Sequence, residues 1–219
     1  ELCNDSGFDY FDLTSREIEM AGSTPINTIN FRYYTELPDA LANANTNRIT
    51  TPSNFLNTTI NFQKIYVRLN SRTNIDSETG VACFKILELD LYVRPYPVNY
   101  LLNEPYTICI DQLNNITYPV EIKTQLNSTD YTFQWYNGHD AVAGNEIIGQ
   151  TGTSFTTSTV GQYSVVVTNI SNAANCSSTF NLSTQNSIVP NSVTINPNEL
   201  IAFGTDNTVT AIVTPTSND

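Results

Sequence analysis

The chain has 219 residues, of which 21 are acidic and 9 are Lys or Arg, so its net charge is −12. This balance excludes nucleic acid as a partner, because no basic stripe exists to displace counterions from phosphates, and no run approaches the ~20 apolar residues of a membrane span. Hydrophobic residues at 40% and aromatic residues at 11% suffice for packed cores, which excludes a disordered acidic tail.

Sequence patterns typical of β-strands occur along the whole chain. Segments rich in β-branched and aromatic residues, several of them alternating with a period of two, lie at residues 61–69, 84–93, 131–136, 161–168 and 207–213. Two short helices are predicted, one over 13–21 with Thr14 or Ser15 as its N-cap and one over 37–46 with Pro38 near its start. The pattern predicts an all-β fold.

The two halves of the chain repeat one plan. Each half has an early cysteine, a long middle, a strand, a polar loop, a late cysteine and a closing strand. Pro95 and Pro97 mark an extended boundary between the halves. We therefore expect two immunoglobulin-like β-sandwich domains in tandem, at 1–94 and 95–187, followed at 188–219 by the start of a third, truncated β module.

The four cysteines are Cys3, Cys83, Cys109 and Cys176. They form no C-x-x-C pair, and a single His leaves no familiar zinc spacing. One pair falls in each half, so the economical interpretation is two intra-domain disulfides in an oxidising compartment; the alternative is four buried free thiols.

Trp135 and Tyr163 carry an immunoglobulin-like signature. A Trp on a central strand, followed by G-x-Y before a late strand, is typical of that sandwich, although Val165 stands where antibody domains have the second cysteine. We expect both residues to be structural core. The alternative for Trp135 is an exposed platform for a ligand.

A family resemblance extends over nearly the whole chain. "FDLTS" (11–15), "IYVRL" (65–69), "GVACF" (80–84), "YTICID" (106–111) and "NCSSTFNL" (175–182) resemble repeat modules of very large secreted proteins of the Bacteroidota. In that family the modules precede a type B sorting domain, which directs export through the type IX secretion system and is often labelled gliding-motility-associated. The early Asp-rich stretch of the family is shorter here, in "CNDSGFDYFDL".

The resemblance implies a non-enzymatic role. We expect spacer or adhesive modules of a secreted protein on the cell outer surface or outside the cell, plausibly a gliding-motility adhesin. Its partners would be outer-membrane components of the type IX translocon during export, and surface polysaccharide or another surface protein afterwards. The alternatives are the stalk of a secreted enzyme and a glycan-binding module.

Catalytic signals are weak. His139 is the single imidazole and follows an Asn-Gly turn, and neither a G-x-S-x-G motif nor a phosphate loop occurs. Three carboxylate pairs are candidates for catalysis, Asp9 with Asp12, Glu17 with Glu19 and Glu88 with Asp90, but such pairs arise by chance among 21 acids. We expect no enzyme activity, no cofactor and no metal site; the minority alternative is calcium held by loop acids, with candidates Asp5, Asp9, Asp76 and Glu78.

Overall fold

A computed structural model describes residues 1–75, 77 and 82–188, together with the strand backbone of 193–195 and 211–213. The chain forms two compact units, one of Glu1–Pro97 with Asn169–Ser177 and the other of Val98–Thr168 with Ser178–Asp219. Most of the predicted third module lies outside the described residues. No helix in the described part of the chain is long and apolar enough to cross a bilayer.

The first unit has a five-stranded sheet, a two-stranded sheet and short helices. Its elements are β1 (Leu2–Cys3), β2 (Tyr10–Phe11), a 3-10 turn (Leu13–Arg16), α1 (Glu17–Ala21), β3 (Ile29–Tyr34), α2 (Leu37–Ala42), β4 (Arg48–Ile49), β5 (Phe55–Leu56), β6 (Phe62–Ile75) and β7 (Ala82–Arg94), with further 3-10 turns at Ile26–Thr28 and Pro52–Asn54. The strand order is β1-β7-β6-β3-β4 in the large sheet, and β2 pairs with β5.

The core of this unit lies between its two sheets. Alternate residues of the long strands, such as Ile65 and Val67, point to one face and are fully buried there against Phe11 and Phe55 of the small sheet. The other face of the large sheet carries polar side chains and is partly covered by α2. Both predicted helices are present but shorter than predicted, as α1 and α2. The N-cap of the 3-10 turn before α1 is Asp12 rather than Thr14 or Ser15, since the Asp12 carboxylate accepts from the Thr14 amide.

The second unit is a β-sandwich of two sheets, in which antiparallel strand pairs are joined by one parallel pair, β8 with β14. Its strands are β8 (Tyr106–Ile110), β9 (Ile116–Tyr118), β10 (Val120–Lys123), β11 (Tyr131–Asn137), β12 (Ser154–Thr157), β13 (Gln162–Asn169) and β14 (Ser177–Ile188). The large sheet has the order β11-β13-β14-β8-β9, β10 pairs with β12, and a further pair joins β15 (Val193–Ile195) to β16 (Ala211–Val213). Ile122 and Phe155 of the small sheet pack on Trp135 and Val165 of the large one. The predicted all-β, immunoglobulin-like fold is confirmed.

The predicted disulfide pairing is wrong. The structure joins Cys3 to Cys176, and Cys83 and Cys109 are free thiols. In each unit the first strand runs parallel to the last strand of the large sheet. Cys3 therefore lies beside Arg94 and Cys109 beside Ser187, at the C-terminal ends of β7 and β14.

The late cysteines lie at the opposite ends of those last strands. Cys83 is near the start of β7, and Cys176 immediately precedes β14. About eleven residues of strand therefore separate each predicted pair, or roughly 36 Å at ~3.3 Å per residue. Because a disulfide requires Cα atoms within ~7 Å, neither intra-domain bond can form.

Candidate functional site

The Cys3–Cys176 junction is the feature that distinguishes this chain from a plain β-protein. Two local structures bring the cysteines together in the first unit. Strand β1 pairs with the end of β7, and the Asn4 amide donates to the Arg94 carbonyl at 2.9 Å. The loop of residues 169–177, which joins β13 to β14 along the chain, supplies the second cysteine. The Cα atoms of the two cysteines are 5.6 Å apart.

Asparagine side chains shape this loop. The Asn169 amide closes it by donating to the Cys176 carbonyl at 2.8 Å, and the Asn169 side-chain oxygen accepts from the Ser171 amide at 2.9 Å. The Asn172 side chain accepts from the Ala174 amide at 3.1 Å, and Asn175 adopts a left-handed φ of 50°. Asparagine tolerates this conformation and hydrogen-bonds its own backbone, so the sequence "NISNAANC" suits a tight, preorganised loop.

An ion pair stands beside the disulfide. The Arg94 guanidinium donates to the Glu1 carboxylate at 3.0 Å, and the other Glu1 oxygen accepts from the Ala174 amide at 3.1 Å. The hydrogen bond from Arg94 lowers the pKa of the Glu1 carboxyl from its ordinary value. Arg94 also lies over the Tyr92 ring, 4.4 Å from its centroid. These contacts fix the loop on the end of β7 and bury Cys176, which is 1% exposed.

The two remaining cysteines are not part of this junction. Cys83 is exposed, and Cys109 is half-buried on β8. Among the described residues no group of three His, Cys, Asp or Glu side chains could hold a metal ion. Asp5 and Asp9 accept backbone amides, from Tyr96 and Tyr10, while Asp76 and Glu78 lie outside the described residues. The junction is therefore covalent and electrostatic in character.

Trp135 and Tyr163 lie in the core of the second unit. Trp135 has no exposed surface, and its indole Nε1 donates to the Gly152 carbonyl at 2.9 Å. Full burial excludes the alternative of an exposed ligand platform. The Tyr163 hydroxyl donates to the Thr159 carbonyl at 2.9 Å and lies 3.0 Å from Thr157 Oγ1, which is the tyrosine-corner arrangement of such sandwiches.

The carboxylates considered for catalysis are engaged in local structure. Asp12, Glu19 and Asp90 line one groove of about 520 Å³ in the first unit. Asp12 caps the turn that follows it, with its pKa lowered mainly by the hydrogen bond from the Thr14 hydroxyl, and Glu19 pairs with Arg16 at 2.7 Å. Asp90 lies 3.6 Å from Lys64. His139, in the second unit, is exposed and contacts Asp140 at 2.8 Å.

The fold and the junction define a disulfide-linked β-domain protein, and comparison with known proteins narrows this class further. Residues 1–97 match the model of a family described as the Flavobacterium inter-domain disulphide bond domain, which points to proteins of Flavobacterium and its relatives. Cys3 lies inside the matched segment, and its partner Cys176 lies outside it. No curated protein matches the chain.

One solved structure that matches the chain is distantly similar to it. The chain aligns with cadherin-like domains 1 to 4 of zebrafish RET at 12% identity, with a TM-score of 0.26. The alignment covers 77% of this chain and 40% of the RET chain.

Proposed function

We propose that the chain is a non-enzymatic spacer and adhesive segment of a secreted Bacteroidota surface protein, exported through the type IX secretion system. The observation that carries the proposal is the disulfide from Cys3, in the family-matched segment, to Cys176 outside it. A bond of this kind persists in an oxidising environment, which agrees with a place outside the cytoplasm.

The strand topology supports a role under tension. Tension on the chain passes from Cys3 through the disulfide to Cys176, which immediately precedes β14. The residues between the two cysteines, which are 173 positions apart in sequence, are therefore not extended by that force. Strand β14 itself is held in its sheet by β13 on one side and by β8 on the other, where it pairs in parallel over five residue pairs from Tyr106↔Thr184 to Ile110↔Ile188.

The surface composition supports a place outside the cell. Only 14% of the residues are charged, whereas Asn, Thr and Ser together number 75, so the exposed faces are covered mostly by uncharged polar groups. The net charge of −12 keeps such a surface soluble. The engaged carboxylates of the groove described above agree with a role that needs no catalysis.

Labelling of intact cells tests the proposal. Antibodies against this segment are applied to the source bacterium with and without a working type IX translocon. We expect surface signal that requires the translocon and moves along the gliding cell. Signal in the medium alone would favour the stalk of a released enzyme, and surface signal that persists without the translocon would overturn the export route.

A further inference from the structure

A cationic cleft lies on the polar face of the large sheet in the first unit. It encloses about 570 Å³ beside the end of α2, and three of the nine basic residues of the chain line it: Arg32, Arg68 and Arg72. No Asp or Glu lies among its described lining residues. In a chain with a net charge of −12, this concentration of positive charge is unexpected. We call this site the arginine cleft.

The strand register forces two of these arginines together. Strands β3 and β6 are antiparallel, and their pairing sets Arg32 directly opposite Arg68 on the same face of the sheet. Like charges at directly opposed positions destabilise a sheet. Among the described residues neither arginine has a carboxylate partner in an ion pair. A like-charge pair that no carboxylate of the described residues neutralises is a reason to look for an anionic ligand.

Arg68 is held in place by the protein. Its Nε donates to Asn70 Oδ1 at 2.7 Å, and its Nη1 donates at 2.9 Å to the carbonyls of Ala40 and Leu41 at the end of α2. Its guanidinium carbon lies 3.4 Å from the centroid of the Phe84 ring. Burial lowers the pKa of Arg68, and the nearby charge of Arg32 acts in the same direction. Arg68 is thus a fixed positive wall of the cleft.

Arg32 has unused hydrogen-bonding capacity. Its Nη1 donates to Asn43 Oδ1 at 2.5 Å, while its Nε is buried and has no hydrogen-bond partner. A buried donor without an acceptor costs free energy, and very few occur in folded proteins. Because that buried Nε is closed to the cleft, an anionic oxygen there would bind the terminal guanidinium nitrogens of Arg32 and would offset the repulsion between Arg32 and Arg68.

We propose that the arginine cleft binds the carboxylate of an acidic sugar, a uronate. Planar guanidinium groups recognise carboxylates through paired N–H···O bonds. Asn30, Asn43, Asn70 and Ser71 also line the cleft. The Oδ1 atoms of Asn43 and Asn70 already accept from Arg32 and Arg68, but the side-chain N–H groups and the Ser71 hydroxyl can donate to sugar oxygens. Phe84 is 43% exposed and adds an aromatic surface. The inference stands on this cleft alone, whatever route exports the protein.

Calorimetric titration of the whole chain tests the proposal. The probes are trigalacturonate, neutral galactotriose and triglutamate, at physiological ionic strength, where repulsion from charges beyond about 8 Å is largely screened. We expect saturable binding of trigalacturonate alone. Arg32→Gln should weaken it about tenfold or more, the effect of losing a charge-assisted hydrogen bond. Arg48→Gln removes an exposed arginine of the same sheet that does not line the cleft, and should change binding less than about twofold.

Each other result would overturn the proposal. Absence of saturable trigalacturonate binding would do so directly, and equal weakening by both substitutions would show that net charge alone drives it. Triglutamate binding as tight as trigalacturonate would assign the cleft to an acidic peptide, and displacement of the sugar by inorganic sulfate at equal concentration would reveal a non-selective anion site. Thermal unfolding of both variants confirms that each is folded.

Discussion

At the scale of single residues, the Tyr163 hydroxyl holds a corner of the second unit. We expect Tyr163→Phe to lower the free energy of unfolding by about 1–2 kcal/mol, because the Thr159 carbonyl and the Thr157 hydroxyl lose their shared partner. Tyr118 is 73% exposed, so Tyr118→Phe is a control with little effect. Urea unfolding followed by the fluorescence of Trp135, the single Trp, reports this unit. Equal effects of the two substitutions would contradict the corner role.

Tyr33 makes the stability of the first unit depend on pH at high pH. It is 2% exposed, and its hydroxyl donates to the Glu17 carboxylate at 2.8 Å. Burial, reinforced by Glu17, raises the pKa of Tyr33 far above its ordinary value of about 10. The folded unit therefore keeps a proton that the unfolded chain releases near pH 10. The stability due to this group is present below that pH and is lost as the pH rises above it.

Titration of tyrosinate absorbance tests this shift. In the native state, wild type and Tyr33→Phe should titrate with equal amplitude, because Tyr33 stays protonated. In denaturant the variant should lose one part in twelve, since the chain has 12 tyrosines. A smaller native amplitude in the variant would show that Tyr33 ionises in the folded protein.

At the scale of elements, α2 is attached to the sheet by Arg68. We expect Arg68→Met to lower the free energy of unfolding of the first unit by about 2–3 kcal/mol, because a charged donor to the Ala40 and Leu41 carbonyls is removed while the side chain keeps its bulk. Hydrogen exchange should rise selectively in residues 36–44. Arg48→Met, on the exposed end strand of the same sheet, is the matched control; similar exchange in both variants would contradict this attachment.

Local sequence patterns predicted the long strands, because the two-residue alternation of side chains is visible within each segment. Residues 61–69 and 84–93 correspond to β6 and β7, and 131–136 and 161–168 to β11 and β13. The 207–213 prediction falls mostly outside the described residues. The two-residue strands escaped prediction, because two residues carry no measurable period. One of them, β1, decides the position of Cys3.

Pairing between distant strands could not be derived from the sequence. The disulfide depends on β1 closing in parallel on the far end of β7, and on a loop from beyond residue 168 meeting that end. Neither contact has a local signal in the residues around Cys3 or Cys176. The arginine cleft escaped prediction for the same reason, since Arg32 and Arg68 are brought together only by the register of two strands.

At the scale of the whole molecule, the disulfide spans most of the chain. We expect the double substitution Cys3→Ser, Cys176→Ser to lower the free energy of unfolding by about 2–5 kcal/mol, because the unfolded chain regains the entropy of a 173-residue loop. The control, Cys83→Ser with Cys109→Ser, replaces the same number of cysteines without opening a disulfide loop. It should lower the free energy of unfolding by about 1 kcal/mol or less. Urea unfolding by circular dichroism compares the two, and equal losses would argue against the bond.

Non-reducing peptide mapping shows which cysteines are joined, and so tests the Cys3–Cys176 bond itself. Trypsin, which cleaves after Lys and Arg except before Pro, places the cysteines in four separate fragments: 1–16, 73–85, 86–123 and 124–219. After alkylation of free thiols and digestion without reductant, we expect 1–16 linked to 124–219, with Cys83 and Cys109 alkylated. The contradicting result is a pair of intra-domain links, with fragment 1–16 joined to 73–85 and fragment 86–123 joined to 124–219. Each disulfide would then lie within its own half of the chain.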